Sequence, residues 1–185
     1  MHPQPPVHPL GRRIGVIGAG GKSTLARALA RKQDLEFIEI DGIAHLPGWE
    51  SRSDDEIKRI VTERIANNPD GWVTDHNSTV MPIIFENADT VIVLQPQFRY
   101  MFWRRFTRSL KRSWTGELIC NGNKETFRQN FFSKNSAIYE MWTKRHNYRS
   151  YAENITAEAP DRVNLIVLKS AKKIEEFYEA HGLTR

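Results

Sequence analysis

Residues 16–25 read VIGAGGKSTL, a glycine-rich stretch that contains Gly-Lys-Ser-Thr at positions 21–24. The apolar run Ile14–Ile17 at its start predicts a buried strand, and apolar residues at helical spacing within Ser23–Gln33 predict a helix behind it. Glycine loops between a strand and a helix bind phosphate groups, because their backbone N–H groups and the helix N-terminus point at the anion. The stretch therefore predicts a phosphate-binding loop.

This loop is two residues shorter than the usual pattern, G-x-x-x-x-G-K-[ST], when it is counted from Gly18. The position six residues before Lys22, which the pattern fills with glycine, is Val16. We still expect Lys22 to reach the outer phosphates of a nucleotide and the Ser23 hydroxyl to bind Mg²⁺. The alternative is a strand-to-helix turn that is merely rich in glycine.

Predicted strands and helices alternate along the rest of the chain. The further predicted strands are Leu35–Ile40, Trp72–Thr74, Thr90–Leu94 and Val163–Leu168. The further predicted helices are a segment from Ser53 to about Asn67, Val80–Asn87, Gln97–Ser113, a segment from Lys124 to about Ala152 that is broken around Ser133–Ser136, and Ala171–His181, with a loop over residues 114–123. This alternation predicts one doubly wound α/β domain, in which helices cover both faces of a five-stranded, mostly parallel sheet.

The composition is typical of a soluble globular protein, since 39% of the 185 residues are hydrophobic and 26% are charged. No apolar run is long enough to span a membrane. The proline-rich residues 1–12 lack the apolar segment of a signal peptide, and we expect an irregular tail there. Cys120 is the single cysteine, which fits a reducing compartment, and we expect a cytoplasmic protein.

Two aspartates follow predicted strands, at the sheet edge where doubly wound domains bind their ligands. Asp75 follows the third strand and is expected to hold Mg²⁺. Asp41 follows the second strand and is expected either to join the magnesium site or to accept a proton from an acceptor hydroxyl. The alternatives are a turn aspartate at position 75 and a capping residue at position 41.

The positive charge of the chain is concentrated in one predicted helix. The net charge is +5, and the span between Asp89 and Glu117 holds six basic residues and no acidic one. These six are Arg99, Arg104, Arg105, Arg108, Lys111 and Arg112. Arginines spaced by four share one helix face and suit the charge of a transferring phosphoryl group. The alternatives are a solvated basic face and a contact with nucleic acid.

Residues near the two aspartates are candidates for binding the acceptor. These candidates are His45, Trp49 and Asn77, together with Asp41 and Asp75 themselves. Trp49 or the cluster Tyr100, Phe102 and Trp103 is a candidate for stacking on a base, but aromatic residues at such spacing more often belong to a core, and His45 is equally well explained as a structural residue. No Cys/His spacing in the chain indicates zinc.

From about Arg13 to Tyr178 the chain resembles the P-loop kinases of the adenylate kinase-like group, in particular the small bacterial proteins labelled DNA topology modulation proteins. Seven segments in order carry the resemblance: RIGVIGAGGKSTLARALA, DGIAHLPGWESRSDDE, GWVTDHNS, ENADTVIVLQP, RYMFWRRFTRSLKR, ELICNGNKETFR and VNLIVLKSAKKIEEF. The Gly-Lys-Ser-Thr motif alone is shared by many unrelated NTPases, whereas the ordered set is far more specific.

The resemblance implies a three-layer P-loop NTPase fold of the nucleoside monophosphate kinase type, which uses ATP and Mg²⁺ and has a helical basic lid over about residues 97–150. The residues implied to hold the nucleotide are Gly18, Ala19, Gly20, Gly21, Lys22, Ser23 and Thr24, with Ser170, Ala171 and Lys172 beside the adenine. The residues implied to act in catalysis are Lys22, Asp41, Arg104, Arg108, Arg112 and Arg128, with Ser23 and Asp75 at the metal.

Three departures from the family pattern bear on activity. The loop lacks about two residues of G-x-G-G-x-G-K-S-T, His76 replaces the glycine of D-G-N-Y, and Gln95 stands where relatives often have aspartate. The expected function is an ATP-dependent kinase that acts on a nucleotide, a nucleoside or another small acceptor. The alternatives are a nucleic-acid-associated P-loop protein that uses nucleotide for regulation, and a degenerate nucleotide-binding protein without turnover.

Overall fold

A sheet of five parallel strands forms the centre of the computed structural model, which describes residues 8–124, 126–132, 136–143, 145 and 147–185. Its strands are β1 (Arg13–Gly18), β2 (Glu36–Ile38), β3 (Trp72–Thr74), β4 (Thr90–Leu94) and β7 (Asn164–Leu168). They lie in the order β2-β3-β1-β4-β7, and every neighbouring pair is parallel. This arrangement confirms the predicted five-stranded parallel sheet.

Helices cover both faces of this sheet and make the fold three-layered. The helices of the described residues are α1 (Lys22–Gln33), α2 (Ile40–Ala44), α3 (Asp54–Ala66), α4 (Met81–Asn87), α5 (Phe98–Thr115), α6 (Phe127–Phe132), α7 (Ala137–Thr143), α8 (Asn147–Glu158) and α9 (Ala171–Ala180). Apolar residues of α1 and α9 pack on one face, and those of α2, α3, α4 and α8 pack on the other.

The interior strand β4, between β1 and β7, shows why the predicted strands are apolar throughout. Its side chains alternate between the two faces, with Val91 and Val93 in the core under α3 and α4, and Ile92 and Leu94 in the core under α1 and α9. All four are at most 2% exposed. A strand that is buried on both faces needs apolar residues at every position.

The prediction that Asp41 follows directly on the second strand is wrong. Strand β2 stops at Ile38, and Asp41 lies in the first turn of the short helix α2. The N–H group of Ile40, at the start of this helix, donates a hydrogen bond of 2.9 Å to Oδ1 of Asp75. That bond satisfies one of the N–H groups that a helix start leaves without an intrahelical partner.

The predicted loop over residues 114–123 is wrong in part. Helix α5 continues to Thr115, and the short strands β5 (Leu118–Ile119) and β6 (Asn123–Lys124) pair antiparallel to form a hairpin. The predicted long helix after this hairpin is three helices, α6 to α8. Of its predicted break, residues 133–135 lie outside the described residues and Ser136 is not helical.

The predicted N-terminal tail, residues 1–12, falls outside the described residues up to position 7. From position 8 to 12 the chain forms neither helix nor strand, and the N–H group of Arg12 donates a hydrogen bond of 3.0 Å to Asp89. Within the described residues, no helix has the length and apolar character that crossing a membrane requires. The boundary between tail and domain and the extent of the lid stay predictions.

Candidate nucleotide-binding site

The short glycine loop is shaped by the end of strand β4. Strand β1 ends at Gly18, which has a φ of 96°, and a Cβ atom at this position would lie 2.1 Å from the carbonyl oxygen of Leu94. The N–H group of Ala19 donates a 3.2 Å hydrogen bond to the same oxygen. Only glycine can adopt this backbone conformation so close to a neighbouring strand. The strand therefore ends and the loop begins at Gly18.

The loop ends in a helix start that is open to solvent and has no acidic side chain. Helix α1 begins at Lys22, and its cap residue, Gly21, has no side chain to accept a hydrogen bond from the first turn. A Cβ atom at Gly21 would meet no atom within 4 Å, so the space above the loop is open. The N–H groups of a helix start and its positive dipole end attract an anion.

Two glycine substitutions separate packing from backbone strain in this loop. We expect Gly18→Ala to lower the free energy of unfolding by more than Gly21→Ala, although both positions have positive φ, at 96° and 137°. A side chain in such a sparsely populated backbone region costs roughly 1–3 kcal/mol at either position, and only Gly18 adds the clash with Leu94. Urea unfolding measures the two values, and equal losses would contradict this account of the loop.

Behind the loop lies Asp75, a buried carboxylate that follows β3. It is 1% exposed, and its Oδ2 accepts a hydrogen bond from the hydroxyl of Ser23. The ammonium group of Lys22 donates a 2.5 Å hydrogen bond to the backbone carbonyl of His76. The loop lysine and serine therefore both contact the segment that follows β3.

Burial has opposite effects on the two titratable groups of this segment. It raises the pKa of Asp75 above its ordinary 3.8, although hydrogen bonds from Ser23 and Ile40 and the charge of Lys22 lower it. Burial lowers the pKa of His76 to about 3, and the charge of Lys22 acts in the same direction. The imidazole of His76 is therefore neutral at neutral pH and adds no positive charge beside the loop.

The buried His76 predicts how stability depends on pH in the metal-free protein. Its pKa is about 3 in the folded state against 6.5 as its ordinary value, so between these values the unfolded state binds the extra proton. The contribution of His76 to the free energy of unfolding is fully present above pH 6.5. It decreases as the pH is lowered, by up to about 1.4 kcal/mol per pH unit. The raised pKa of Asp75 has the opposite sign, because the stability that it contributes is present below its ordinary 3.8 and is lost as the pH rises through its raised value.

We therefore expect His76→Gln to flatten the fall in the free energy of unfolding between pH 6.5 and 5. Urea titrations of wild type and variant in EDTA measure the two slopes. Equal slopes would show that His76 is not the group that titrates.

A cavity of about 660 Å³ opens above the loop, between it and helix α5. The described residues that line it are Gly18, Ala19, Gly20, Gly21, Lys22, Ser23, Thr24, Asp41, Met101, Arg104, Arg105, Thr107, Arg108, Lys111 and Met141. Five of these side chains are cationic and one is a carboxylate. A concave site with this excess of positive charge suits a polyanionic ligand.

Several predicted site residues meet at this cavity. All seven predicted residues of the loop line it, together with Asp41, Arg104 and Arg108. Asp75 reaches the site through its hydrogen bond with Ser23. The structure thus brings loop, acidic residue and basic helix together, and the roles predicted for them stay predictions.

Other predicted site residues are not among the described residues of the cavity lining. Asn77 accepts a 3.2 Å hydrogen bond from the N–H group of Val80 and so caps a short turn. Ser170 caps α9, and Arg112 lies 3.7 Å from Glu117. The remaining residues of this group are His45, Trp49, Arg128, Ala171 and Lys172.

Two basic residues line the cavity although the sequence prediction did not assign them a catalytic role. Arg105 and Lys111 lie on the same side of α5 as Arg104 and Arg108. At about 100° per residue Arg112 belongs to the same face, but it lies one turn beyond Arg108 and 3.7 Å from Glu117. The predicted row of arginines spaced by four therefore lies on the face that meets the cavity, and of its three members only Arg112 is not among the described lining residues.

The donor atoms at the loop fit Mg²⁺ with a nucleotide. Magnesium in nucleotide sites is held by one or two protein oxygens plus phosphate oxygens, and the adjacent Ser23 hydroxyl and Asp75 carboxylate provide such oxygens. Among the described residues no group of three or more His, Cys, Asp or Glu side chains forms a cage for a metal. The site therefore suits a metal that arrives with phosphates.

Comparison with known proteins supports the fold. The structure is similar to that of a gluconokinase from Sinorhizobium meliloti 1021, with a TM-score of 0.53 and 18% sequence identity over 92% of this chain and 89% of that one. The chain has a three-layer P-loop NTPase fold. No family model and no curated protein matches the chain. At this level of identity, the likeness bears on the architecture and leaves the substrate open.

Proposed function

We propose that the chain is an ATP-dependent phosphotransferase that moves the γ-phosphate of ATP to a small acceptor. The observation that carries the proposal is the cavity in which the glycine loop, Asp41 and the basic face of α5 meet. A phosphate-binding loop alone would also suit a regulatory nucleotide site. A carboxylate and several cations opposite the same loop are what phosphoryl transfer needs in addition.

The loop and Lys22 would bind the phosphates of ATP. The N–H groups of the loop and of the start of α1 would bind phosphate oxygens, and Lys22 would exchange its bond with the His76 carbonyl for the outer phosphates. Ser23 and Asp75 would hold Mg²⁺, which supplies charge neutralisation when it is bound. Because the loop is short, Lys22 and the cations of α5 would neutralise a larger share of the phosphate charge.

Asp41 would orient the acceptor. It is exposed at the cavity wall, in contrast to the buried Asp75. Its carboxylate would accept the proton of an acceptor hydroxyl while that oxygen bonds to the γ-phosphorus and the bond to the β-phosphate oxygen breaks. ADP and the phosphorylated acceptor are then the products.

The basic face of α5 would stabilise the negative charge on the phosphoryl group during its transfer. Arg104, Arg105, Arg108 and Lys111 line the cavity opposite the loop. Guanidinium groups stay charged and bind phosphate oxygens in pairs, and fixed positive charge is most effective where water is excluded. We propose this role for these four residues, without Arg112 and Arg128.

A panel of acceptors tests the proposal. The adenylate kinase-like resemblance favours nucleoside monophosphates and nucleosides, and the similar structure of a gluconokinase adds gluconate and other sugar acids. ADP formation would be measured with each acceptor and Mg²⁺-ATP, for wild type and for Asp41→Asn. Turnover that depends on an acceptor and on Asp41 supports the proposal.

The same preparation separates the other readings of the site. ATP binding by calorimetry without turnover on any acceptor would indicate a degenerate nucleotide-binding protein. Affinity for an oligonucleotide that falls steeply with salt and is insensitive to ATP would indicate a nucleic-acid-associated protein.

A further inference from the structure

The hairpin β5–β6 is attached to the segment after β2 by side-chain amides. The amide nitrogen of Asn121 donates to the carbonyl oxygens of Gly42 and His45, at 2.7 and 2.6 Å. The amide nitrogen of Asn123 donates to the carbonyl oxygen of Leu46 at 2.8 Å. We call this pair of side chains the asparagine latch. It joins two parts of the chain that lie more than 70 residues apart.

The bonds of the latch run in both directions. The backbone N–H group of Trp49 donates to Oδ1 of Asn123 at 2.9 Å, and the indole N–H group of Trp49 donates to the carbonyl oxygen of Lys124 at 3.2 Å. Asn123 is only 3% exposed, so its amide is a buried group whose bonds replace those to water.

Strained backbone is concentrated at this contact. Four described residues other than glycine have positive φ, and three of them are Trp49, Cys120 and Asn121, at 61°, 40° and 64°. Such conformations cost free energy and persist where surrounding bonds hold them. Asparagine tolerates this conformation better than most residues, so Asn121 suits its position for its backbone as well as for its amide.

The latch acts on the helix that carries Asp41. Helix α2 has only five residues and ends at its cap residue His45, whose carbonyl accepts one bond of the latch. At its other end, Asp41 lines the cavity and the N–H group of Ile40 binds Asp75. One turn of helix is not stable by itself, so its position depends on what holds its two ends.

We propose that Asn121 and Asn123 are positioning residues, which hold α2 so that Asp41 and the Ile40–Asp75 bond are in place before substrates bind. This rests on the proposed function for the role of Asp41, but the fixing of α2 is a property of the protein without ligands. Neither asparagine is among the described residues of the cavity lining. They therefore act through α2 and not on the substrate itself.

Hydrogen exchange tests the latch without any turnover. Asn121→Gly removes the two side-chain bonds and leaves a residue that accepts positive φ, and Asn123→Ala removes the bonds of the second amide. We expect exchange of the backbone amides of Ile43 and His45, and also of Ile40, to become about tenfold faster or more in either variant. Amides of β1 and β4 should not change.

A matched control is Asn68→Ala. Asn68 also donates its amide to a backbone carbonyl, that of Arg64 at 2.9 Å, but lies at the end of α3. Its exchange profile over α2 should equal that of wild type. Unchanged exchange of α2 in the latch variants, or acceleration spread evenly over the whole sheet, would overturn the proposal.

Kinetics with an acceptor that turns over distinguish positioning from support of the fold. We expect Asn121→Gly to raise the KM for the acceptor about tenfold or more and the KM for ATP by a smaller factor, because Asp41 lies on α2 itself, whereas the glycine loop is not touched and Asp75 keeps its bond with Ser23. An unchanged acceptor KM, or equal rises for both substrates, would overturn the positioning role. If no acceptor turns over, the proposed function fails, and the exchange of the Ile40 amide still decides the latch.

Discussion

Lys22→Ala is expected to lower kcat/KM for phosphoryl transfer by about 10³-fold, the scale found when one preorganised charge is removed from a transition state. Lys22 is the cation of the loop itself, and its ammonium group donates a hydrogen bond to the carbonyl of His76. Because the loop is short, few backbone N–H groups are present to replace the Lys22 ammonium in neutralising the phosphates. Acceptor-dependent ADP formation under single-turnover conditions measures the loss.

The control for this variant is Lys58→Ala, which removes an exposed lysine from α3. It should leave turnover unchanged. The Lys22 variant should also raise the pKa of His76, because the charge of Lys22 helps to lower it, and a histidine titration by NMR would show that the variant is folded. Turnover that survives in the folded Lys22→Ala protein would rule out the kinase proposal.

The glycine loop between β1 and α1 could be predicted from sequence because strand, glycines and helix are consecutive in the chain. Its length could not be explained in that way. The reason for the turn at Gly18 is the carbonyl oxygen of Leu94, about 75 residues away, which leaves no room for a side chain. The end of β1 is therefore set by its packing against β4, which is distant in sequence and leaves no signal in the loop motif itself.

The sequence predicted that residues around 97–113 form a basic helix, but it identified only some of the basic side chains that line the cavity. The charges identified α5, but the cavity is lined by Arg105 and Lys111 as well as Arg104 and Arg108. Which side of an exposed helix meets a site depends on how the helix packs. Here Met101, which is 4% exposed, marks the inward side.

Residues of the acceptor side were the hardest to predict. Trp49 was assigned to substrate from its position after Asp41, and the structure shows its two N–H groups bonded to the hairpin β5–β6. The hairpin itself was predicted as loop, because its two strands have two residues each. Two-residue strands carry too little periodicity to be recognised, and side-chain amide bonds leave no pattern in the sequence.

Asp75→Asn is expected to lower turnover while the stability of the fold is kept or increased. Burial raises the pKa of Asp75, which means that the folded protein stabilises the charged form of this carboxyl less well than water does. An amide of the same shape can accept the bond from Ile40 and donate to the hydroxyl oxygen of Ser23. We therefore expect Tm to stay level or to rise, by about 2–4 °C for each kcal/mol gained.

Turnover of the same variant should fall by about 10²-fold or more, because a neutral amide is a poor partner for Mg²⁺ with its phosphates. Asp70→Asn, in the exposed turn before β3, is the matched control and should change neither quantity. Thermal unfolding in EDTA and ADP formation at several Mg²⁺ concentrations measure the two effects. A fall in Tm with unchanged turnover would assign Asp75 to the fold alone, whereas stability gained with activity lost would identify it as a carboxylate kept buried and charged for the metal and phosphates.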